Sequence, residues 1–262
     1  MDEMTNHLPG TFCWPELATT DQAAAKKFYT ALFGWGINDQ PTGPDAVYSM
    51  FTVGGREVAA ARSMDPQQKS MGIPPHWFSY ISAKNADETL AKARALGGKV
   101  AMDAFDVMDA GRMGIVFDPT GAAFGVWQAN KNIGAHLLDR PGTLVWTEQM
   151  STDAEASRNF YSKLFDWGVQ LHEMGPMTYT VFLRGEMPAG GLMQITPDMG
   201  RMPSNWLPYF GSDNVDATTA KAVELGGTAI MPPADIPNVG RFSVIQDPQG
   251  ATFGLLKFLP RS

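Results

Sequence analysis

The sequence predicts an α+β protein made by tandem duplication. Three observations carry that prediction: a long, ordered self-similarity, helix signals bracketed by strand signals in each copy, and an Asp-Pro-x-Gly turn near the end of each copy. Gly10-Thr11, Trp14 and Glu16 align with Gly142-Thr143, Trp146 and Glu148, and the match runs ungapped through Phe28-Tyr29 with Phe160-Tyr161 to Trp35-Gly36 with Trp167-Gly168. Further on, Trp77, Tyr80, Asn85 and Asp87 match Trp206, Tyr209, Asn214 and Asp216. Asp118-Pro119-Thr120-Gly121-Ala122-Ala123-Phe124-Gly125 then matches Asp247-Pro248-Gln249-Gly250-Ala251-Thr252-Phe253-Gly254. Chance does not supply so many matches in order. The expected organisation is two copies of one domain, residues 8–129 and 142–258, joined by a linker at 130–141.

Within the first copy, Trp14 to Leu17 reads as a strand, and Asp21 is placed to accept hydrogen bonds from the free amides that open a helix. Ala24, Phe28, Leu32 and Phe33 recur at helical spacing, and Gly34 and Gly36 stop the helix. Val47 to Val53 and Val58 to Ala61 flank Gly54-Gly55 as a hairpin of β-formers. A second module follows, with a strand at Trp77–Ile81, a helix at Ala86–Leu96 and a Gly97-Gly98 stop. Strands at Arg112–Phe117 and Ala123–Trp127 close it, joined by a turn in which Pro presets φ and Gly permits positive φ. Each copy thus holds two modules, and the chain holds four.

The 262 residues are 44% hydrophobic and 18% charged, which fits packed globular domains. Twenty Lys and Arg against 27 Asp and Glu give a formal charge of −7, with no basic cluster to meet a phosphate backbone, so nucleic acid is excluded as an expected partner. The acidic, polar start is not a secretory signal, and no run reaches the roughly 18 apolar residues of a membrane span, so the expectation is a cytoplasmic protein with no membrane partner. The single cysteine, Cys13, has no internal disulfide partner and reads as a buried small hydrophobe. His7, His136 and His172 fall in a terminus, the linker and a hairpin approach and are given no role.

The strand, the Asp, the helix ending Phe-Tyr-x-x-x-Phe-Gly-Trp and the closing Asp-Pro-x-Gly-x-x-Phe hairpin together resemble the vicinal oxygen chelate superfamily. That superfamily includes glyoxalases, bleomycin-resistance proteins and extradiol dioxygenases. The resemblance spans nearly the whole chain and is nearest to the tandem-domain, glyoxalase-like proteins of actinobacteria, through Ala25-Lys26-Lys27-Phe28-Tyr29 and Asp109-Ala110-Gly111-Arg112-Met113. It implies four βαβββ modules forming two curved eight-stranded mixed sheets around cavities. It also implies a divalent metal, held by His, Glu or Gln from four strands, that binds vicinal oxygens of a substrate. Carried onto this sequence, those ligand positions fall on Trp14 and Trp146, Phe78 and Leu207, Gly125 and Gly254, and the strand ends at Ala60-Ala61 and Gly191-Leu192. None of these side chains binds a metal, so no cofactor is expected.

Side chains two apart on a strand share a face, which directs Glu16 and Glu148 into the same cavities as Trp14 and Trp146. A desolvated carboxylate there is a candidate general acid or base, or a hydrogen-bonding anchor; the ordinary alternative is pairing with an Arg or solvation at the mouth. His76, two before Phe78, is a third acid–base candidate, and its counterpart is Asn205. A metal held by Glu16 and His76 alone would lack a third ligand. Trp14, Trp146, Phe78, Tyr80, Tyr209 and Trp127 are candidate pocket walls. Arg112 and Arg241 are candidates to hold an anionic group, or else to pair with Asp106 and Asp235 in the preceding loops. The leading expectation is a protein that binds a small apolar or aromatic molecule without metal, as a monomer or homodimer. The alternatives are a metal-independent lyase, isomerase or hydroxylase-like enzyme using Glu16 or Glu148, and a metalloenzyme with unorthodox ligands.

Overall fold

The computed structural model describes residues 3–44, 46–175 and 177–260. The first half runs β1 (Phe12–Thr19), α1 (Gln22–Phe33), β2 (Gly36–Gly43), β3 (Ala46–Val53), β4 (Arg56–Ser63), α2 (Pro66–Ser70), β5 (His76–Ser82), α3 (Ala86–Ala95), β6 (Lys99–Val107), β7 (Gly111–Phe117) and β8 (Ala123–Ala129). The second repeats it with β9 (Leu144–Ser151), α4 (Ala154–Phe165), β10 (Gly168–Met174), β11 (Met177–Arg184) and β12 (Met187–Gln194). A 3-10 turn at Pro197–Met199 follows, then β13 (Asn205–Gly211), α5 (Val215–Glu224), β14 (Thr228–Ile236), β15 (Gly240–Gln246) and β16 (Thr252–Phe258). Each half makes one eight-stranded mixed sheet, in the order β2-β3-β4-β1-β5-β8-β7-β6 and β10-β11-β12-β9-β13-β16-β15-β14. The fold is α+β, and the two modules of each half pair with one another along β1 and β5, or β9 and β13, which run antiparallel.

Helix starts and stops follow the local signals. Asp21 caps α1 by accepting from the Ala24 amide, and its counterpart Asp153 caps α4 through Ala156. The C-cap of α1 is Gly34 at φ 72°, a left-handed conformation; the second half puts Asp166 there at φ 56°. In each half three elements go beyond the sequence expectation: the edge strands β2 and β6 with their counterparts β10 and β14, and the short helix α2 with the 3-10 turn in its place.

Helices α1, α3, α4 and α5 lie between the two sheets and lock the halves together. Tyr29, fully buried on α1, packs among Leu17, Phe51 and Trp77 of its own half and Phe210, Ile245 and Phe253 of the other. Its hydroxyl donates to Asp247 Oδ2 at 2.9 Å and accepts from Trp77 Nε1 at 2.9 Å. On α4, Tyr161 packs in the same way against Phe124, Val126 and Val116, and accepts from Trp206 Nε1 at 2.8 Å. Trp35 Nε1 donates to the Gly142 carbonyl at 2.7 Å, and Trp167 Nε1 to the Gly10 carbonyl at 2.9 Å. Thus the Phe-Tyr, Gly-Trp and Asp-Pro-x-Gly residues that betray the duplication are largely those that join its copies. Burial pushes the Tyr29 and Tyr161 hydroxyls well above the usual phenol range, so both remain donors at ordinary pH, and burial also raises the Asp247 carboxyl.

Candidate functional site

With the helices on the inner faces, the other face of each sheet carries its own cluster of aromatic and apolar side chains, the cup of that half. In the first cup Trp14 and Glu16 project from β1, Arg62 from β4, His76, Phe78 and Tyr80 from β5, and Trp127 from β8. Strand register sets them side by side: Glu16 lies between Ala60 and Phe78, Ala18 between Arg62 and His76, and Trp14 faces Tyr80. Glu16 is only 6% exposed. It accepts from the Tyr48 hydroxyl at 2.8 Å and from Arg62 Nε at 2.8 Å, and Tyr80 also hydrogen-bonds to it. Trp14 Nε1 donates to the Tyr48 hydroxyl at 2.8 Å, completing a chain from indole to phenol to carboxylate. Arg62 is itself positioned by α2, because Gln68, whose side chain closes the capping box with Asp65, accepts from Arg62 Nη1 at 3.0 Å.

The second cup keeps the carboxylate and its phenols but not the cation. Glu148, 9% exposed, accepts from the Tyr179 hydroxyl at 2.7 Å and the Tyr209 hydroxyl at 3.0 Å. Trp146 Nε1 donates to the Tyr179 hydroxyl at 3.0 Å, as Trp14 does to Tyr48. Ala18 pairs with Arg62 on the first sheet, and the corresponding pair on the second is Met150 with Met193. A 3-10 turn replaces α2 and its Gln68. Burial raises the Glu148 carboxyl above its ordinary 4.5, with the two phenols pulling the other way. In the first cup, burial alone would lower the Arg62 guanidinium, and Glu16 reverses that.

The tyrosines reach these carboxylates because glycine lies beneath them. Tyr80 pairs with Gly125 and Tyr209 with Gly254. A Cβ on Gly125 would come within 2.2 Å of the Tyr80 ring, and one on Gly254 within 2.0 Å of the Tyr209 ring. The space that a side chain at 125 or 254 would enter is filled by the phenol ring. On β12, a Cβ at Gly191 would strike the Tyr179 hydroxyl. Among the described residues no group of three or more His, Cys, Asp and Glu is arranged to hold a metal ion.

Not every sequence candidate joins the cups. Arg112 and Arg241 lie on the opposite, helix-bearing faces, where alternation along β7 and β15 sends them. Arg112 is paired with Asp87 at 2.8 Å and Asp106 at 3.0 Å, and Arg241 with Asp216 at 2.6 Å and Asp235 at 2.9 Å. They tie helix to strand rather than line a cup. His76 shares the first cup's rim, but its Nδ1 is bonded to the Pro74 carbonyl at 2.9 Å, and burial lowers its pKa so that it is neutral at pH 7. Phe78 meets His76 and Tyr80 edge-on, with centroids 6.4 and 5.1 Å away. Trp127 Nε1 is tied to the Asn132 carbonyl of the linker, and Ala135 of the linker bonds the Cys13 carbonyl at 2.8 Å, so this stretch covers one end of the first cup. Cys13 is fully buried and burial pushes its thiol far up. Trp146, by contrast, stays partly exposed beside Phe258.

Arg62, Tyr48 and Tyr179 are the site residues that sequence reasoning missed. Tyr48 and Tyr179 had a signal, since they align in otherwise dissimilar hairpins. Arg62 sits two residues beyond Ala60 and was open to the same strand-face argument as Glu16. Two surface hollows, of about 480 and 390 Å³, lie away from both cups: one around Thr152, Ile195 and Arg201, the other on the seam between the halves at Gly10, Asn85 and Phe165.

Comparison with known proteins agrees with the fold. The family model described as "Glyoxalase/Bleomycin resistance protein/Dioxygenase superfamily" matches residues 11–126 and 143–255. A protein of Mycobacterium tuberculosis named "Putative glyoxylase CFP32" is 45% identical over the full length of both chains. The "Anthracycline biosynthesis protein DnrV" of Streptomyces peucetius is 33% identical over 97% of this chain and 95% of its own. Among solved structures, the Mn(II)-bound glyoxalase of Novosphingobium aromaticivorans superposes with a TM-score of 0.67 at 17% identity, covering 95% of this chain and 82% of that one. At that identity the likeness speaks for the fold alone. No helix among the described residues is long and apolar enough to cross a membrane.

Proposed function

The chain belongs to the glyoxalase/bleomycin resistance protein/dioxygenase superfamily, and within it we propose that this member binds a small, largely apolar or aromatic organic molecule in its cups without a metal. The observation that carries the reading is the pair of tyrosine rings seated on Gly125 and Gly254. These are positions where the superfamily resemblance calls for a metal-binding side chain, and the ring already fills the space that such a side chain needs. With Trp14, Phe78 and Ala60 at the other expected positions of the first cup, the residues present do not fit a divalent ion, whose ligands must offer lone pairs at ~2.0–2.2 Å. What the cups offer instead is aromatic surface with one hydrogen-bonded carboxylate, the composition of a pocket for a planar organic ligand. The relative named for anthracycline biosynthesis supports a polycyclic aromatic as the first ligand to try.

A second reading, a metal-independent enzyme, has one observation in its favour. Glu148 is buried, burial raises its carboxyl pKa, and among the described residues no cation is paired with it. The test is a thermal-shift and calorimetric screen of planar aromatics, an anthracycline included, on protein dialysed against chelator and assayed for Zn, Ni, Mn and Fe. The expected result is a raised melting temperature with an aromatic ligand and less than stoichiometric metal throughout. Stoichiometric metal that survives dialysis, or no response to any aromatic, overturns the first reading. Turnover that Glu148→Gln abolishes while ligand binding persists favours the second.

A further inference from the structure

The two cups are copies, so each shows what the other lacks. In the first, the carboxylate of Glu16 is met by a guanidinium supplied from within the chain, Arg62 Nε at 2.8 Å. In the second, Glu148 has kept its place on the strand, its burial, its tyrosine donors and the indole behind them, yet the position of Arg62 belongs to Met193. We propose that the second cup is a binding site for the cationic group of a small aromatic molecule, an ammonium that takes beside Glu148 the place Arg62 takes beside Glu16. This deepens the reading of the cups as aromatic-binding sites and rests on it.

The surroundings suit such a cation. A carboxylate has about four lone-pair positions, and the two phenols use one on each oxygen of Glu148, leaving room for a further donor. Met150 and Met193 flank the approach as partly exposed, unbranched thioethers that can shift aside, where the first cup has a small Ala18 and a fixed Arg62. Trp146 and Tyr179 present partly exposed aromatic rings over which a cation is attracted by the ring quadrupole. Asn205 stands where the first cup has His76, and it carries no charge to repel the ligand. The same argument makes the first cup a poor cation site, because its own guanidinium already occupies the carboxylate.

The test compares 2-naphthylmethylammonium with its neutral counterpart 2-naphthylmethanol by calorimetry at pH 7 on the full chain. The ammonium is expected to bind at least tenfold more tightly than the alcohol, at one site per chain. Met193→Arg, which installs the first cup's solution in the second, is expected to remove that preference, so that ammonium and alcohol bind with equal affinity; Met193→Lys serves if the arginine variant misfolds. Arg62→Met is expected to create a second ammonium site, taking the stoichiometry from one to two. Equal binding of ammonium and alcohol overturns the proposal and leaves the aromatic reading standing. So does an ammonium preference that survives Met193→Arg in a protein folded by circular dichroism. If neither probe binds, the aromatic reading fails and this proposal fails with it.

Discussion

In the first cup a buried carboxylate is held by two phenols and a guanidinium; in the second an equivalent carboxylate is held by two phenols alone. Around that difference other pairs diverge too: His76 against Asn205, Phe78 against Leu207, Trp127 against Leu256. On the inner faces the copies agree, residue for residue, at Tyr29 and Tyr161, Trp35 and Trp167, Trp77 and Trp206, and Asp118 and Asp247. Packing between the halves demands matched shapes and fully satisfied polar groups. The cup rims carry no such demand, and there the copies have parted. Among the cup rims divergence therefore points at function, while agreement on the inner faces points at architecture.

The largest effect is expected where the halves agree. Tyr29→Ala and Tyr161→Ala should each cost about 3–5 kcal/mol, the range for deleting a large buried aromatic, and should do so in one unfolding transition, because each ring belongs to the core of both halves. Denaturant melts followed by two probes check this; a two-step melt, or costs that differ several-fold, would break the equivalence of the two interfaces.

Arg62→Met comes next and makes the first cup resemble the second. Breaking a fully buried pair costs about 3–5 kcal/mol, and because Arg62 is 31% exposed in its side chain the expectation here is about 2 kcal/mol. The same measurement on Met193→Arg should show no loss, or a gain. A smaller effect belongs to Gly254→Ala and Gly125→Ala. Each new methyl displaces a tyrosine ring, for about 1–2 kcal/mol by the general cost of overpacking. A melt unchanged in either variant would mean that the ring is not seated as described.

The smallest effect is the most diagnostic. A carboxyl whose folded pKa is raised stabilises most below its ordinary value of 4.5, and that stability is lost as pH rises through the raised folded value. Glu148→Gln should remove that loss, so the variant gains stability relative to the parent as pH rises toward neutral. Glu16→Gln should do the opposite, since it leaves Arg62 without its counter-ion. Melting temperatures of the three proteins from pH 4.5 to 8 separate the cases. Parallel curves for Glu148→Gln and the parent would show that burial does not perturb Glu148.

Much of this molecule was legible from residue order. The duplication, the paired modules, the helix caps at Asp21 and Asp153 and the direction of Glu16 and Glu148 into the cups follow from spacing and alternation. The edge strands β2 and β6 were not legible, because an edge strand with exposed faces carries no hydrophobic period; every residue of Gly36–Gly43 is exposed. Arg112 and Arg241 were candidates for the cups, yet the strand alternation that sets Glu16 on the same face as Trp14 sends them to the helix side. The ion pair of Glu16 and Arg62 joins residues 46 positions apart, on neighbouring strands whose register no local pattern reveals.

The hydroxyl of Tyr29 finds its carboxylate 218 residues downstream, at Asp247. On a ribosome adding about 5–20 residues per second, the first half, complete at β8, waits roughly six to twenty-four seconds for Asp247 with its inner aromatic face uncovered. During that interval Tyr29 and Phe33 on α1, with Trp35 just beyond it, form a sticky, exposed surface over a sheet that is already complete. Newly made chains are therefore most vulnerable to capture by chaperones, or by one another, just before the last hairpin emerges.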